Sequence, residues 1–503
     1  MHMSESSQTF ARGWIKVRPM NTFYPSVLDP AVCYAAFLAH DRRFDGWFYM
    51  GVSSTGIYCR PVCPVRAPMA KNCSFYTSAA AAEHAGFRPC LRCRPELAPG
   101  NGVLDLSSRL ARAAARLIEE GFLNGKSLVA LAERVGVTDR HLRRIFEAEF
   151  GVTMVEYTQT QRLLIAKRLL TDTNMPMADL ALASGFGSVR RFNDVFQSRY
   201  GLNPMRLRKS VSAPDVLRFE LGYRPPFSWQ GVLDFLAHRA IKGVEHVGED
   251  VYARTVSIEQ AGRRLSGWIS VTHAPLRHAL VVTISASLQT GIAQVLGRVR
   301  RIFDTDCRPD LIDLHLGELA ADLPGMRVPG AFDGFEIAVR AIVGQQISVA
   351  NARVVLSRLA ERFGTPVDSA PFDLHTTFPS AAALASAPLE EVITTGLIRI
   401  RAEAILAVAQ EVASGRIILE PLVPLEATLN ALRHVRGIGE WTVQYIAMRA
   451  LGWPNAFPEG DAVLKKKLGF ATAAQLNAHA SQWAPWRAYA TVHVWRQHEE
   501  AKQ

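Results

Sequence analysis

Two short cysteine pairs, Cys59-x3-Cys63 and Cys90-x2-Cys93, stand 26 residues apart in this chain. Two such hooks, once a fold brings them together, supply the four soft ligands that tetrahedral zinc requires. A pair of disulfides, or four plain buried thiols, are the other readings of the same spacing. Disulfides are rare in a reducing compartment, where close cysteines point to metal or reactivity. No apolar run approaches the ~18 residues that span a bilayer. Met1 to Pro25 has no apolar core followed by a small-residue cleavage site, so a signal peptide is not expected. The prediction is a cytoplasmic protein with one zinc per chain, bound by Cys59, Cys63, Cys90 and Cys93. Zinc keeps a thiolate deprotonated at neutral pH, which also makes it a nucleophile. The three remaining cysteines stand apart, and Cys33 and Cys73 are read as core.

A second candidate lies near the C-terminal end. His434-Val435-Arg436-Gly437-Ile438-Gly439-Glu440-Trp441-Thr442 falls between two stretches of helical periodicity. Glycine lets the backbone turn tightly and approach another backbone closely, and the helix that follows starts with free N–H groups. Gly437, Ile438 and Gly439 therefore form a candidate grip on phosphate. Gly-x-Gly alone is weak, because many helix–helix turns look alike. Further on, Asp461 follows Gly460, and an isolated Asp there reads first as a helix cap.

Several domains must position these groups. The chain has 503 residues, and at roughly 150 residues per domain it should hold three or four. Hydrophobic residues make up 49% and charged residues 20%, proportions that exclude extensive disorder. The net charge of +11 is spread along the chain, as suits a polyanionic partner or a basic solvated surface. Residues 23–100 are rich in Cys, Arg and Pro, and residues 103–210 read as successive amphipathic helices. A Ser/Pro link around Ser210 to Asp215 follows. From 216 to 300 the texture is mixed, with Val281, Thr283 and Ser285 alternating with Leu280, Val282 and Ile284 as a strand would. Helical periodicity then returns to the end.

Residues 103–210 contain a repeat. Leu142, Ile145, Phe146 and Phe150 form an apolar stripe closed by Gly151, and Phe192, Val195, Phe196 and Tyr200 form another closed by Gly201. Each follows a short helix and a Gly-containing turn, with Thr138 and Ser188 placed to cap the second helix. Two helix-turn-helix units joined by a long helix, about Met154 to Leu170, are predicted. Off the stripes lie Arg140, His141 and Arg144 on the first recognition helix and Arg190, Arg191 and Asp194 on the second. A helical bundle with a solvated basic face is the plainer alternative.

Longer words carry family resemblances. Thr55-Gly56-Ile57-Tyr58-Cys59-Arg60-Pro61-Val62-Cys63, Asn72-Cys73-Ser74-Phe75-Tyr76 and Ala85-Gly86-Phe87-Arg88-Pro89-Cys90-Leu91-Arg92-Cys93 resemble the N-terminal domain of the Ada DNA-repair proteins. The resemblance implies that the matching thiolates hold zinc and that Cys59 takes a methyl group from a DNA methylphosphotriester. Arg60, Arg92 and Arg94 either meet phosphate or stay solvated. Ala183-Ser184-Gly185-Phe186-Gly187-Ser188, with Phe192 and Phe196, resembles the AraC-type regulator domain, which implies reading of two adjacent major grooves at a promoter.

The remainder, from Tyr223-Arg224-Pro225-Pro226 to the C-terminus, resembles helix-hairpin-helix glycosylases of the AlkA (3-methyladenine-DNA glycosylase II) kind. The carriers are Phe335 to Ala350, the hairpin 434–442, Pro458 to Lys465 and Trp486 to Trp495. By that resemblance Asp461 is the catalytic carboxylate, and Trp441, Tyr445 and Trp495 line the pocket for a flipped base. Electron-rich rings there would attract a cationic alkylated purine. The wedge that fills the vacated stack falls on Gln346 or Ile347, where the family has an aliphatic residue.

The expectation is a mainly α, multidomain chain with α+β parts. It comprises a zinc methyl-acceptor domain (23–100), a double helix-turn-helix domain (103–210), a mixed α/β domain (216–300) and a helix-hairpin-helix glycosylase domain (301–503). Its expected work is alkylation repair and its regulation. A monofunctional N-glycosylase would release 3-methyladenine-type bases, and a single irreversible methyl transfer to Cys59 would activate transcription. Damaged and promoter DNA are the expected partners, with RNA polymerase a further one and no membrane. The rival reading is a regulator whose glycosylase half only binds DNA.

Overall fold

A computed structural model describes residues 28–100, 109–208, 216–260, 262–421 and 423–500. The segment Met1 to Pro25, the boundary near 103 and the link at 210–215 lie outside the described residues. No helix among them is long and apolar enough to cross a membrane.

The first described unit is a four-stranded sheet, with strands in the order Cys73–Tyr76, Tyr49–Val52, Ile57–Cys59 and Arg88–Pro89. Asp29 starts its leading helix, Pro30–Leu38, by accepting from the Ala31 and Val32 amides. The last two strands pair in parallel, Ile57 with Arg88 and Tyr58 with Pro89. That register brings Cys90 level with Cys59, and the Cys90 amide donates to the Tyr58 carbonyl at 3.0 Å. A short parallel pairing thus brings the two cysteine hooks together.

The two helix-turn-helix units are Leu128–Val135 with Asp139–Phe150, and Met177–Ala183 with Val189–Tyr200. The helix between them is Met154–Asp172, started by a capping box of Thr153 and Glu156. Thr138 and Ser188 accept from the amides three residues on, at 3.3 and 3.2 Å. Gly151 and Gly201 end the recognition helices at φ +68° and +64°, a conformation that costs any residue with a Cβ. The two units differ in what they pack against. The first shares a core with helix Arg109–Glu119, whereas the second is continuous with the core of the C-terminal half.

Five antiparallel strands form the second sheet, ordered Val216–Gly222, Ala279–Ser285, Arg263–Ala274, Val251–Gln260 and Glu245–Val247. Strand Ala279–Ser285 lies inside it. Its alternation suggests one wet face, but Val281 and Val282 are both buried, so the sheet is covered on two sides here. Helices from Ile292 onward complete the fold. One of them, Gly334–Val343, is tied to this sheet by buried ion pairs, Arg254 to Glu336 at 2.6 Å and Arg340 to Glu245, with Arg340 also paired to Glu336 within the helix.

Charged contacts also join the front and back of the chain. Arg134 of the first helix-turn-helix meets Glu420 at 2.5 Å, and Glu120 meets Arg301 at 2.6 Å. A Cβ at the turn glycine Gly136 would lie 2.9 Å from Pro424. The first helix-turn-helix unit is seated on the loop before helix Leu425–Arg433, the helix that leads into the Gly437–Gly439 hairpin.

Candidate functional site

The four sulfurs of Cys59, Cys63, Cys90 and Cys93 lie within 4.8 Å of one another, with those of Cys63 and Cys90 4.0 Å apart. At a Zn–S distance of ~2.3 Å, tetrahedral sulfurs stand about 3.8 Å apart, so donor type and spacing both suit a four-thiolate metal site. All four cysteines are buried. Main-chain amides support the sulfurs: Arg60 donates to Cys93 Sγ and Arg92 to Cys90 Sγ, each at 3.4 Å.

The basic residues around the hooks divide. Arg60 is buried and committed to Asp45 and to the Cys93 carbonyl. Arg94 is paired with Glu96 and, at 2.7 Å, with Asp172 on the long regulator helix. Arg60 is closed off from solvent and the part-exposed Arg94 is held by its two carboxylates, so Arg92 alone of the three is exposed. Cys73, expected in the core, packs against it from the rim. It is half-exposed at the start of an edge strand, its thiol donating to the Met69 carbonyl at 3.4 Å.

Asp461 does cap a helix, Ala462–Leu468, with Oδ1 accepting from the Leu464 amide at 2.9 Å. It also accepts from two indoles: Trp441 Nε1 reaches Oδ2 at 2.9 Å and Trp495 Nε1 reaches Oδ1 at 3.2 Å. A carboxylate offers about four lone-pair sites, so three donors leave one free, on Oδ2. Trp441 and Tyr445, one turn apart on Glu440–Arg449, are stacked with centroids 5.2 Å apart, and Tyr445 lies 6.1 Å from Trp495. The three predicted pocket aromatics and Asp461 thus form a single cluster.

The hairpin has the expected local form. Gly437 adopts φ +90°, and a Cβ there would sit 3.1 Å from that of Ala404. Gly437 and Gly439 are exposed while Ile438 is buried. No side chain caps the helix Glu440–Arg449, whose first amides therefore remain open. Gln345 links this hairpin to the candidate wedge, donating to the Gly437 carbonyl at 3.1 Å and to Thr442 Oγ1 at 2.9 Å. Gln346 stands exposed at the tip with φ +56°, and Ile347 is half-buried against the core. On the recognition helices Arg140, Arg144, Arg190 and Arg191 are exposed, and His141 is half-buried with Nδ1 3.3 Å from Arg144.

Four family descriptions match successive parts of the chain. They are the metal binding domain of Ada over residues 32–96, a helix-turn-helix domain over 131–210, the AlkA N-terminal domain over 218–333, and the HhH-GPD superfamily base excision DNA repair protein over 339–480. A Mycobacterium tuberculosis protein named probable bifunctional transcriptional activator/DNA repair enzyme AlkA is 36% identical, over 92% of this chain and 95% of its own length. The chain belongs to this bifunctional AlkA family. Its two halves also match separate proteins. Escherichia coli DNA-3-methyladenine glycosylase 2 is 34% identical over 55% of this chain and 96% of its own length. Bacillus subtilis AdaA, named as a bifunctional transcriptional activator/DNA repair enzyme, is 32% identical over 35% of this chain and 81% of its own.

In this member of the bifunctional AlkA family, the aromatic cluster is backed by residues that sequence reasoning missed. Phe235, from helix Trp229–Ala237 of the α/β domain, stacks on Trp495 at 6.4 Å and 23°. Arg239 lies 3.9 Å over Phe235, and Arg449 lies 4.9 Å over its ring. Arg449 had a signal: it falls four residues after Tyr445 and eight after Trp441, on the same helix face. Phe235 and Arg239 had none, because nothing local ties them to residues more than two hundred positions downstream.

Proposed function

We propose that the chain is a monofunctional DNA glycosylase that releases 3-methyladenine-type alkylated bases, fused to a methyl-activated regulator. The observation that carries the first part is Asp461, fixed by two indole N–H groups at the edge of an aromatic cluster. When the base leaves, the C–N bond breaks with its electrons going to the base, and positive charge develops on the sugar. A carboxylate held in a dry site stabilises that charge, and the free lone pair of Oδ2 can hold the water that adds. Glycosylases that also cut the strand attack the sugar with a lysine amine on the helix after the hairpin. Here that position is Trp441, so water is the acceptor. Gly437 to Gly439 would grip the backbone while Gln346 enters the stack.

For the regulatory part, Cys59, Cys63, Cys90 and Cys93 would hold one zinc, which keeps the thiols deprotonated. The Cys59 sulfur then attacks the methyl carbon of a phosphotriester: an S–C bond forms, the C–O bond breaks, and a phosphodiester anion leaves. The thioether has no easy route back, so each chain reacts once. The exposed arginines of both recognition helices suit promoter DNA, with RNA polymerase as the recruited partner. A cytoplasmic address suits a DNA substrate. One experiment tests both parts: incubation with methylated DNA, scoring released bases and protein-bound methyl. Base release without methyl on Cys59 would refute the regulatory part, and the reverse would leave only a regulator that binds DNA.

A further inference from the structure

The hydroxyl of Tyr445 is held by Arg449, one helical turn further along. Arg449 Nη1 donates to it at 2.8 Å, Nε donates to the Pro329 carbonyl at 2.6 Å, and Nη2 to the Gly330 carbonyl at 3.3 Å. A guanidinium carries only donors. The Tyr445 oxygen must therefore accept, and its own hydrogen points elsewhere; its only hydrogen bond among the described residues is this one. Arg449 is buried and pinned by two main-chain carbonyls, so the arrangement cannot relax by a side-chain swing. The result is a phenol with an unspent donor inside the aromatic cluster.

The electrostatics favour that donor. Burial opposes ionisation of Tyr445, but the charges of Arg449 and Arg239 outweigh it and leave the phenol more acidic than usual. Hydrogen bonds to developing charge are the strong ones. Damaged purines differ in what they need at departure. A cationic alkylpurine leaves as a neutral molecule, whereas an uncharged base leaves with the bonding pair as an anion. Relative to free enzyme and DNA, two arginines behind the aromatic wall stabilise a transition state whose leaving base is becoming an anion, and give no net stabilisation to one whose base is becoming neutral, because they repel the cation that binds first.

We propose that Tyr445 donates its hydroxyl hydrogen bond to an acceptor nitrogen or oxygen of the departing base, with Arg449 as the positioning residue that keeps this hydrogen available. Release of uncharged damaged purines depends on the pair more than release of cationic ones. The inference rests on the glycosylase reading above, and its test separates the two. Single-turnover release is measured at enzyme well below saturation, so that rates refer to free enzyme and DNA, on duplexes carrying 7-methylguanine, a cation, or hypoxanthine, which is uncharged. In the full chain Y445F and R449M should lower hypoxanthine release by about ten- to a hundredfold, and 7-methylguanine release by no more than about threefold. R449K, which keeps a donor, should restore part of the hypoxanthine rate. The ratio of the two rates is independent of how much of a variant is folded. Equal losses on both bases, or hypoxanthine release by the unmodified chain no faster than by Y445F, would overturn the proposal. Release of neither base by the unmodified chain would overturn the glycosylase reading itself, and this inference with it.

Discussion

Trp441 donates its indole N–H to Oδ2 of Asp461 across 2.9 Å, joining the helix after the hairpin to the carboxylate proposed to face the sugar. The bond fixes the direction of the free lone pair, which a helix cap alone would leave to one torsion angle. Asp461→Asn keeps an oxygen for the Leu464 amide, so the cap and the fold should survive. It removes the charge and turns an N–H towards the Trp441 indole. Base release should fall by roughly 10²–10³-fold or more while DNA affinity stays within about threefold, since only transition-state stabilisation is lost. Rates at saturating enzyme together with fluorescence anisotropy check both quantities, and full activity would mean a different carboxylate acts.

Gln346 and Ile347 can be separated by their settings. Gln346 pays for its tip position with a left-handed backbone, φ +56°, and it buries nothing. Gln346→Gly should leave thermal stability unchanged or raise it by up to ~1 kcal/mol, yet slow excision from duplex DNA by about tenfold. Ile347→Ala should instead lower stability by about 1 kcal/mol, because its half-buried side chain packs on the core. If I347A loses excision and Q346G does not, the wedge is Ile347. Paired melting and single-turnover curves decide.

What the sequence makes legible is mostly short in range. The helix-turn-helix units announce themselves through stripes, caps and closing glycines, all within one unit. The cysteine hooks are legible by type and spacing, and the hairpin by two glycines before a helix. What convergence adds is not. The indoles of Trp441 and Trp495 meet at Asp461 because the starts of two helices converge on the middle of a third, which no spacing encodes. Arg60 and Arg94 look like phosphate contacts beside a zinc hook, yet Asp45 and Asp172, distant in sequence, claim them. Val281 sits in an alternating strand and is nonetheless buried, because burial on the second face comes from other elements. Nor does the repeat reveal that its second copy shares a core with the glycosylase half while the first does not.

Freshly purified protein should carry one zinc per chain, measured by elemental analysis, and Cys63→Ser should lose both the metal and methyl uptake. Methylation of Cys59 should then strengthen promoter binding. Four thiolates around Zn²⁺ carry a net charge of −2, and conversion of one to a thioether removes a negative charge beside phosphate. The gain should be roughly tenfold at low salt and shrink as salt rises. Equal affinities before and after methylation at low salt would refute the switch.

Glu83 links the cysteine unit to the second recognition helix, and its charge should make that contact sensitive to pH. Oε1 accepts from Tyr58, next to Cys59, at 3.1 Å and from Tyr200, the last residue of helix Val189–Tyr200, at 3.0 Å. Oε2 accepts from Thr160 at 2.9 Å, with Arg199 Nε 3.8 Å away. Burial dominates these donors and this cation, and it lifts the Glu83 carboxyl from 4.5 to about 7. An acid raised on folding binds its proton more tightly in the folded state. Its stabilising contribution is therefore complete below pH 4.5 and is lost as pH rises through about 7. Ionisation of a buried carboxyl raised this far costs on the order of 3 kcal/mol of docking stability. Urea midpoints of the full chain should accordingly fall between pH 5 and pH 8. Glu83→Gln keeps an acceptor for the two tyrosines but cannot ionise, so that fall should be largely absent in the variant. Parallel pH profiles in the two proteins would show that Glu83 does not ionise in this range, and that the pH dependence has another source.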